Sequence, residues 1–351
     1  MTYALVMIVK NAAADIERCL AAARPYISSW TICDTGSTDG TQGLIRATLD
    51  GIPGTLYEDE WANFGHNRSL ALERARGTAD WLLLMDADMA VTIEPGFVPD
   101  PTVDAYMLEM GTYTDFSYRL PLLVRGDIPW KSFGPVHEYT ARSDGLGYST
   151  TPTDLVRVDM GNVYRGSLEK YNGYAALLEP WLAEHPDDAR STYYLAQSYQ
   201  CVGRNEEART WFAKRAAMGG FMAEAAYAAY LAAMLAPDWP TKASELMAAW
   251  EMHPERLEPL HELVRGLNQR DQHRTAYALA CVAPMDCTDI LFVHRSVWNW
   301  GMTFERSIAA WYCGFPDETR ALSENLLERD DLPADVRAAV ERNRGLCEKA
   351  A

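Results

Sequence analysis

Trp81-Leu82-Leu83-Leu84-Met85-Asp86-Ala87-Asp88 is the stretch on which the fold of this 351-residue chain turns. Five apolar residues in a row read as a strand buried on both faces. Two carboxylates one residue apart follow, where such a strand meets solvent. An unpaired buried carboxylate is costly, and a divalent cation carrying phosphate oxygens would answer both charges. Four further apolar runs lie at residues 4–9, 30–33, 55–57 and 105–108. Helical patterns separate them, one opening at Asp15 and others over 41–49 and 67–76. Strand and helix in alternation predict an α/β domain over residues 1–160, its sheet mostly parallel.

Composition narrows the class. The chain is 48% hydrophobic and 23% charged, as globular proteins are. Its 49 acidic and 32 basic residues leave a net charge of −17. That excludes a sequence-independent nucleic-acid binder and a polybasic membrane anchor. The apolar run after Met1 is too short for a signal peptide and lacks its basic start. No stretch approaches the roughly 20 apolar residues of a membrane helix. Seven Cys are scattered with no CxxC pair, Cys281 and Cys287 included, as reduced thiols would be. The expectation is a cytoplasmic protein with no integral membrane segment and no nucleic-acid partner.

Beyond residue 160 the texture changes to Ala, Leu, Glu and Arg, and a repeat emerges. His185-Pro186 recurs as His253-Pro254, an offset of 68 residues. At that offset Leu195 matches Leu263, Ala208 matches Ala276, and Trp211 falls on Leu279. Gly203-Arg204-Asn205 falls on Asp271-Gln272-His273, a turn in both places. Sixty-eight is twice the 34-residue period of tetratricopeptide repeats. A middle repeat then starts near Gly219-Gly220, with helices over 222–235 and 241–250 about a break at Pro237-Asp238-Trp239-Pro240. From residue 289 onward Phe292, Trp298, Trp300, Phe304 and Trp311 anchor further helices, and segments 322–327 and 336–340 close the array. Residues 161–351 are therefore expected to be an all-α helical-repeat domain.

Candidate chemistry clusters at predicted strand ends, where open α/β sheets bind ligands. Val9-Lys10-Asn11 ends the first strand, and Cys33-Asp34-Thr35-Gly36-Ser37-Thr38-Asp39-Gly40-Thr41 follows the second. Asp34 stands at the strand end, and Thr38 and Asp39 suit the cap of the next helix. In Phe64-Gly65-His66-Asn67-Arg68, Arg68 opens a helix, where the dipole disfavours positive charge. Either an anionic ligand or a carboxylate such as Glu58, Asp59 or Glu60 would explain it. Gly36 to Gly40 lacks the glycine spacing of a dinucleotide fingerprint.

Together, and in this order, these segments resemble family 2 glycosyltransferases of the GT-A fold, continued into tetratricopeptide-like repeats of a bacterial and phage type. The resemblance implies a nucleotide-sugar donor, first of all a UDP-sugar. It places Val9, Asn11 and Asn67 in the nucleotide pocket, Asp34 on uracil or ribose, and Arg68 on the diphosphate. It places Asp86 near ribose or sugar, and Asp88 on Mn²⁺ or Mg²⁺. A second family-like block runs from Arg119 to Arg125 and on to Phe133-Gly134-Pro135-Val136-His137-Glu138. There His137 is put forward as a further metal ligand. An inverting transfer needs one base, for which Glu138 leads and Asp127 and Asp115 are alternatives. Trp130 is an acceptor platform or a core residue. Ala12 replaces an acidic residue of many relatives, and Val158–Asn162 carries no His where many have one.

The expected activity is thus a metal-dependent, inverting glycosyltransferase acting on a protein or peptide acceptor, since repeat surfaces hold extended polypeptide. A transferase for a cell-surface or lipid-linked glycan is the rival enzyme. A repeat scaffold with an inactive transferase domain is the rival of another class. The repeats have equal scope to form a homodimer.

Overall fold

The computed structural model describes residues 1–111, 118–160, 168–284 and 292–350. It divides into two compact units, Met1–Val202 and Gly203–Ala351.

In the first unit β1 (Tyr3–Val9), α1 (Ile16–Ala23), β2 (Ser29–Asp34), α2 (Thr41–Thr48), β3 (Gly54–Glu58), α3 (Phe64–Ala75) and β4 (Trp81–Leu84) alternate as expected. Every residue of β4 is buried, as is all of β1 after Tyr3. Helix α1 buries Ile16, Cys19, Leu20 and Ala23, a three-and-four spacing that puts them on one face. After β4 come β5 (Met89–Ile93), β6 (Ala105–Gly111), β7 (Tyr118–Arg125), β8 (Trp130–Phe133), β9 (Tyr139–Arg142) and β10 (Thr150–Met160). Two helices, α4 (Leu168–Glu184) and α5 (Ala189–Cys201), complete the unit.

The eight-stranded sheet runs β3-β2-β1-β4-β7-β6-β10-β5, with β8 and β9 as a separate hairpin. It is mixed where a mostly parallel sheet is expected. Strands β3, β2, β1 and β4 are parallel neighbours, whereas β7 runs against both β4 and β6, and β5 against β10. Strand β7 escapes a pattern reading because Pro121 interrupts it. Pro121 pairs with Met107 beside a register shift at which β7 carries one extra residue, Leu122, and there a missing N–H is tolerated. A further shift between Thr153 and Arg157 bends β10, so that Val156–Met160 pairs with β5.

The second unit is helical throughout its described residues. It contains α6 (Asn205–Ala217), α7 (Met222–Met234), α8 (Trp239–Met252), α9 (Leu257–Asn268) and α10 (His273–Cys281). A π-helical turn at Val297–Gly301 leads into α11 (Met302–Tyr312), followed by α12 (Pro316–Leu327) and α13 (Ala334–Ala350). Helices α6, α8 and α10 begin at residues 205, 239 and 273, each 34 residues after the last. Gly203 and Asp271, one double period apart, both adopt left-handed backbone, at φ 79° and 58°. The Pro237–Pro240 break proves to be a helix start, where the Asp238 side chain accepts from the Thr241 N–H at 2.8 Å. Cys287 and Asp289 lie outside the described residues.

Gly126 fixes the corner between β7 and the turn before β4. Its N–H donates to the Asp80 carbonyl and its carbonyl accepts from Gly77, both at 2.8 Å. A Cβ there would lie 2.0 Å from the Ala79 oxygen. Gly126→Ala should therefore destabilise the first unit by about 1–3 kcal/mol, read as a lower urea midpoint.

Candidate active site

The carboxyl ends of β1, β2 and β4 come level with one another. Val9 pairs with Asp34 and Val6 with Leu84, so Asp86 to Asp88 emerge beside the end of β1. The Val9 carbonyl accepts from the Thr35 N–H at 2.9 Å and its hydroxyl at 3.1 Å, which ties the first strand end to the second. Asn11, left-handed at φ 49°, donates its N–H to Ser37 Oγ at 2.8 Å, and its Oδ1 accepts from the Thr38 N–H at 2.8 Å. Asp34 is buried. Its Oδ1 accepts from the Gly36 and Ser37 N–H groups at 2.8 and 2.7 Å, whereas Oδ2 has no partner. Burial works against its charge, yet the hydrogen bonds from Ser37 and Gly36 hold the carboxyl below the ordinary aspartate value. A charged, buried acceptor with one free oxygen suits a ligand N–H or O–H.

Arg68 draws the centre together. Its Nη2 lies 2.7 Å from Asp86 Oδ1 and its Nε 2.6 Å from Glu138 Oε1. The guanidinium is nearly enclosed, and although burial disfavours its charge, the two carboxylates raise its pKa. Neither Glu58, Asp59 nor Glu60 is its partner; Arg74 takes Asp59 at 2.5 Å. Helix α3 reaches this position because Gly65 lacks a side chain, since a Cβ would stand 2.3 Å from the Gly134 carbonyl. The Phe64 N–H donates to the Pro135 carbonyl at 3.1 Å, and Ser69 Oγ accepts from the Ser132 N–H at 3.0 Å. These contacts seat α3 against the β8–β9 hairpin and bring Arg68 to Glu138.

Asp88 forms no ion pair among the described residues. Burial first, then the charge of Asp86, push its carboxyl above the ordinary aspartate value. Its carbonyl accepts from Arg18. Among the described residues no three His, Cys, Asp or Glu side chains gather as a metal-holding group. A single free carboxylate still fits Mg²⁺ or Mn²⁺, which take remaining ligands from phosphate and water.

Four residues singled out from the sequence are placed as follows. Asp127 stands at the far end of the sheet, paired with Arg125, because β7 runs antiparallel to β4 and Arg125 lies opposite Trp81. From Trp81 to Asp86 the strand advances roughly 16 Å at its usual rise, so Asp127 lies apart from Asp86, Arg68 and Glu138. Asn67 is fully buried; its Oδ1 accepts from the Ala62 N–H at 3.0 Å and its Nδ2 donates to the Glu60 carbonyl at 2.9 Å, so it shapes the loop before α3. Trp130 is core, with Nε1 donating to the Arg125 carbonyl at 2.8 Å. His137 is not part of any metal-holding group among the described residues. Its ring stacks on Tyr194 at 4.0 Å and meets the edge of Tyr174 at 5.2 Å. Asp115 lies outside the described residues, as do Gly161 and Asn162.

Sequence reasoning passed over Tyr174, Arg190 and Tyr194, which sit on α4 and α5 beyond the expected domain boundary. One signal was available: Arg190 stands in the first turn of a helix, where the dipole opposes its charge, whereas Arg68, read from sequence as opening its helix, is the fifth residue of α3.

Residues 4–95 match the model of glycosyl transferase family 2. The match takes in Val9, Asn11, Asp34, Asn67, Arg68, Asp86 and Asp88, and ends before Asp127, His137 and Glu138. Over 206 residues the chain is 29% identical to a TPR repeat-containing protein of Synechococcus elongatus, covering 53% of this chain and 49% of that one, so it spans about half the relative's length. Among solved structures, S. aureus TarS 1-349 overlaps 90% of this chain and 92% of its own at 12% identity and a TM-score of 0.31. The MamA protein overlaps 46% of this chain and 82% of its own at 15% identity and a TM-score of 0.36.

Burial, then the charges of Arg190 and Lys170, push the His137 pKa down to about 3. The unfolded chain binds a proton at this residue below its usual value of about 6.5, and the folded chain does not. Stability is therefore lost as pH falls from about 6.5 towards 3. In His137→Phe, which keeps an aromatic face on Tyr194, the fall in urea midpoint over that range should be shallower.

Proposed function

We propose, from the family 2 glycosyl transferase domain at residues 4–95, that this protein transfers a sugar from a nucleoside diphosphate sugar to an acceptor hydroxyl or amide with inversion at the anomeric carbon. The observation that carries the reading is the convergence of Asp86, Arg68 and Glu138 at the carboxyl ends of the parallel strands. Arg68 supplies positive charge where a departing diphosphate gains negative charge. Asp34, with its buried free Oδ2, takes a donor hydrogen of the nucleotide, for which uridine is the first choice. Glu138 accepts the acceptor's proton as the acceptor atom bonds to the anomeric carbon. The bond from that carbon to the diphosphate oxygen breaks in the same step, and its electron pair leaves on the diphosphate. Asp88 would hold Mn²⁺ or Mg²⁺ against the diphosphate, and the bound ion would neutralise charge on the leaving group.

Two features bear on the partners. No helix among the described residues is long and apolar enough to cross a membrane. The 34-residue spacing of α6, α8 and α10 gives the second unit the organisation of a polypeptide-binding repeat, so a protein or peptide is the acceptor we favour.

Calorimetry with UDP and Mn²⁺, followed by UDP release from a panel of UDP-sugars, tests the reading; no heat and no release would overturn it. Asp88→Ala should cut UDP release on the order of 100-fold or more while leaving the fold intact. Glu138→Gln should slow turnover about 100-fold and leave UDP affinity unchanged. Intact-mass spectrometry of co-expressed polypeptides should show a hexose-sized mass increment; its absence, with donor cleavage present, would point to a glycan acceptor.

A further inference from the structure

We infer that Arg190 and Tyr194, on helix α5, are positioning residues for Glu138. The inference rests on the reading of Glu138 as the base. Glu138 sits in the β8–β9 loop between two residues that α5 holds. Before it, His137 adopts left-handed backbone at φ 49°, a conformation that side-chain-bearing residues rarely keep without support from their surroundings. Support comes from α5 on both sides of the residue. Tyr194 stacks on the His137 ring with planes 10° apart, and Arg190 Nε donates to the His137 carbonyl at 2.9 Å. After it, the Tyr139 ring lies 5.5 Å from the Arg190 guanidinium and stacks on Phe133 at 5.4 Å. The same guanidinium lies 5.0 Å from the Tyr194 ring. One cation thus grips the peptide before Glu138 and the side chain after it.

The placement of Arg190 has no local cause. A positive charge in the first turn of a helix is opposed by the helix dipole. Helix α5 is already capped there by Asp188, which accepts from the Ser191 N–H at 3.0 Å and from Trp181 Nε1 at 2.8 Å. What Arg190 gains is the His137 carbonyl and two ring faces. With Arg68 holding the carboxylate and α5 holding the backbone, Glu138 is constrained at both ends. The helices after the sheet then belong to the transferase machinery, in line with their membership of the first compact unit.

The test uses the full chain and three variants: Tyr194→Leu and Arg190→Met remove the grip, and Tyr194→Phe keeps the ring. Turnover is read as UDP release from the UDP-sugar that wild type cleaves fastest, with UDP affinity by calorimetry. The loss variants should fall about tenfold to a hundredfold in kcat with UDP affinity and melting midpoint held, and Tyr194→Phe should restore kcat. Loss variants with wild-type kcat would overturn the inference. So would parallel losses of kcat, UDP affinity and melting midpoint, which mark a structural role. Should wild type release no UDP, the functional reading falls, and amide exchange over residues 136–140 still decides the positioning. Faster exchange in Tyr194→Leu at an unchanged melting midpoint supports it, and unchanged exchange overturns it.

Discussion

The bridge from Asp86 through Arg68 to Glu138 is the interaction around which the candidate site of the first unit is built. Two carboxylates on separate elements would repel at this range, and a nearly buried guanidinium is costly without counter-charge. Each therefore makes the others tolerable. The arrangement also joins three parts of the chain, the end of β4, helix α3 and the β8–β9 loop, which only the folded sheet and its hairpin bring together. Arg's planar fork suits the task, because separate N–H groups can reach carboxylates on different sides at once.

The bridge is possible because backbone comes close to backbone. Gly65 lets α3 lie against Gly134 with no side chain between them, and the Ser69–Ser132 and Phe64–Pro135 hydrogen bonds hold the seam. At the end of β2 the constraint is of another kind. Asp34 Oδ1 is spent on the turn that follows β2, which leaves Oδ2 buried and unanswered. The site is thus rigid where it is satisfied and chemically open at Asp34 and Asp88.

How much of this was legible in advance varied by residue. The buried strands β1 and β4 declare themselves as unbroken apolar runs, and α1 by its three-and-four spacing, because burial demands those patterns locally. The 34-residue spacing of α6, α8 and α10 was readable from a handful of paired positions, since each repeat faces the same packing problem. Strand β7 was not readable, for Pro121 argues against a strand and is accommodated beside a bulge at Leu122 that forms only when β7 pairs with β6. Asp34, Arg68 and Asp86 could be placed at strand and helix ends from sequence. Asp127, an alternative base to Glu138, could not be placed from sequence because strand direction is not written locally, and the antiparallel run of β7 carries it to the opposite end of the sheet.

The sequence by itself determined the alternation of strand and helix, the acidic strand end at Asp86-Ala87-Asp88, and the repeat that follows. Those features arise from residue order over short windows, where periodicity and burial act directly. Only the tertiary structure decided that Arg68 answers both Asp86 and Glu138, that Asn67 and Trp130 serve the scaffold, and that His137 stacks on Tyr194 from a helix beyond the sheet. The Arg68 contacts join residues 18 and 70 positions apart. Charge pairing and ring stacking at such separations depend on where the chain returns, and strand direction, bulges and glycine-permitted approaches set that return.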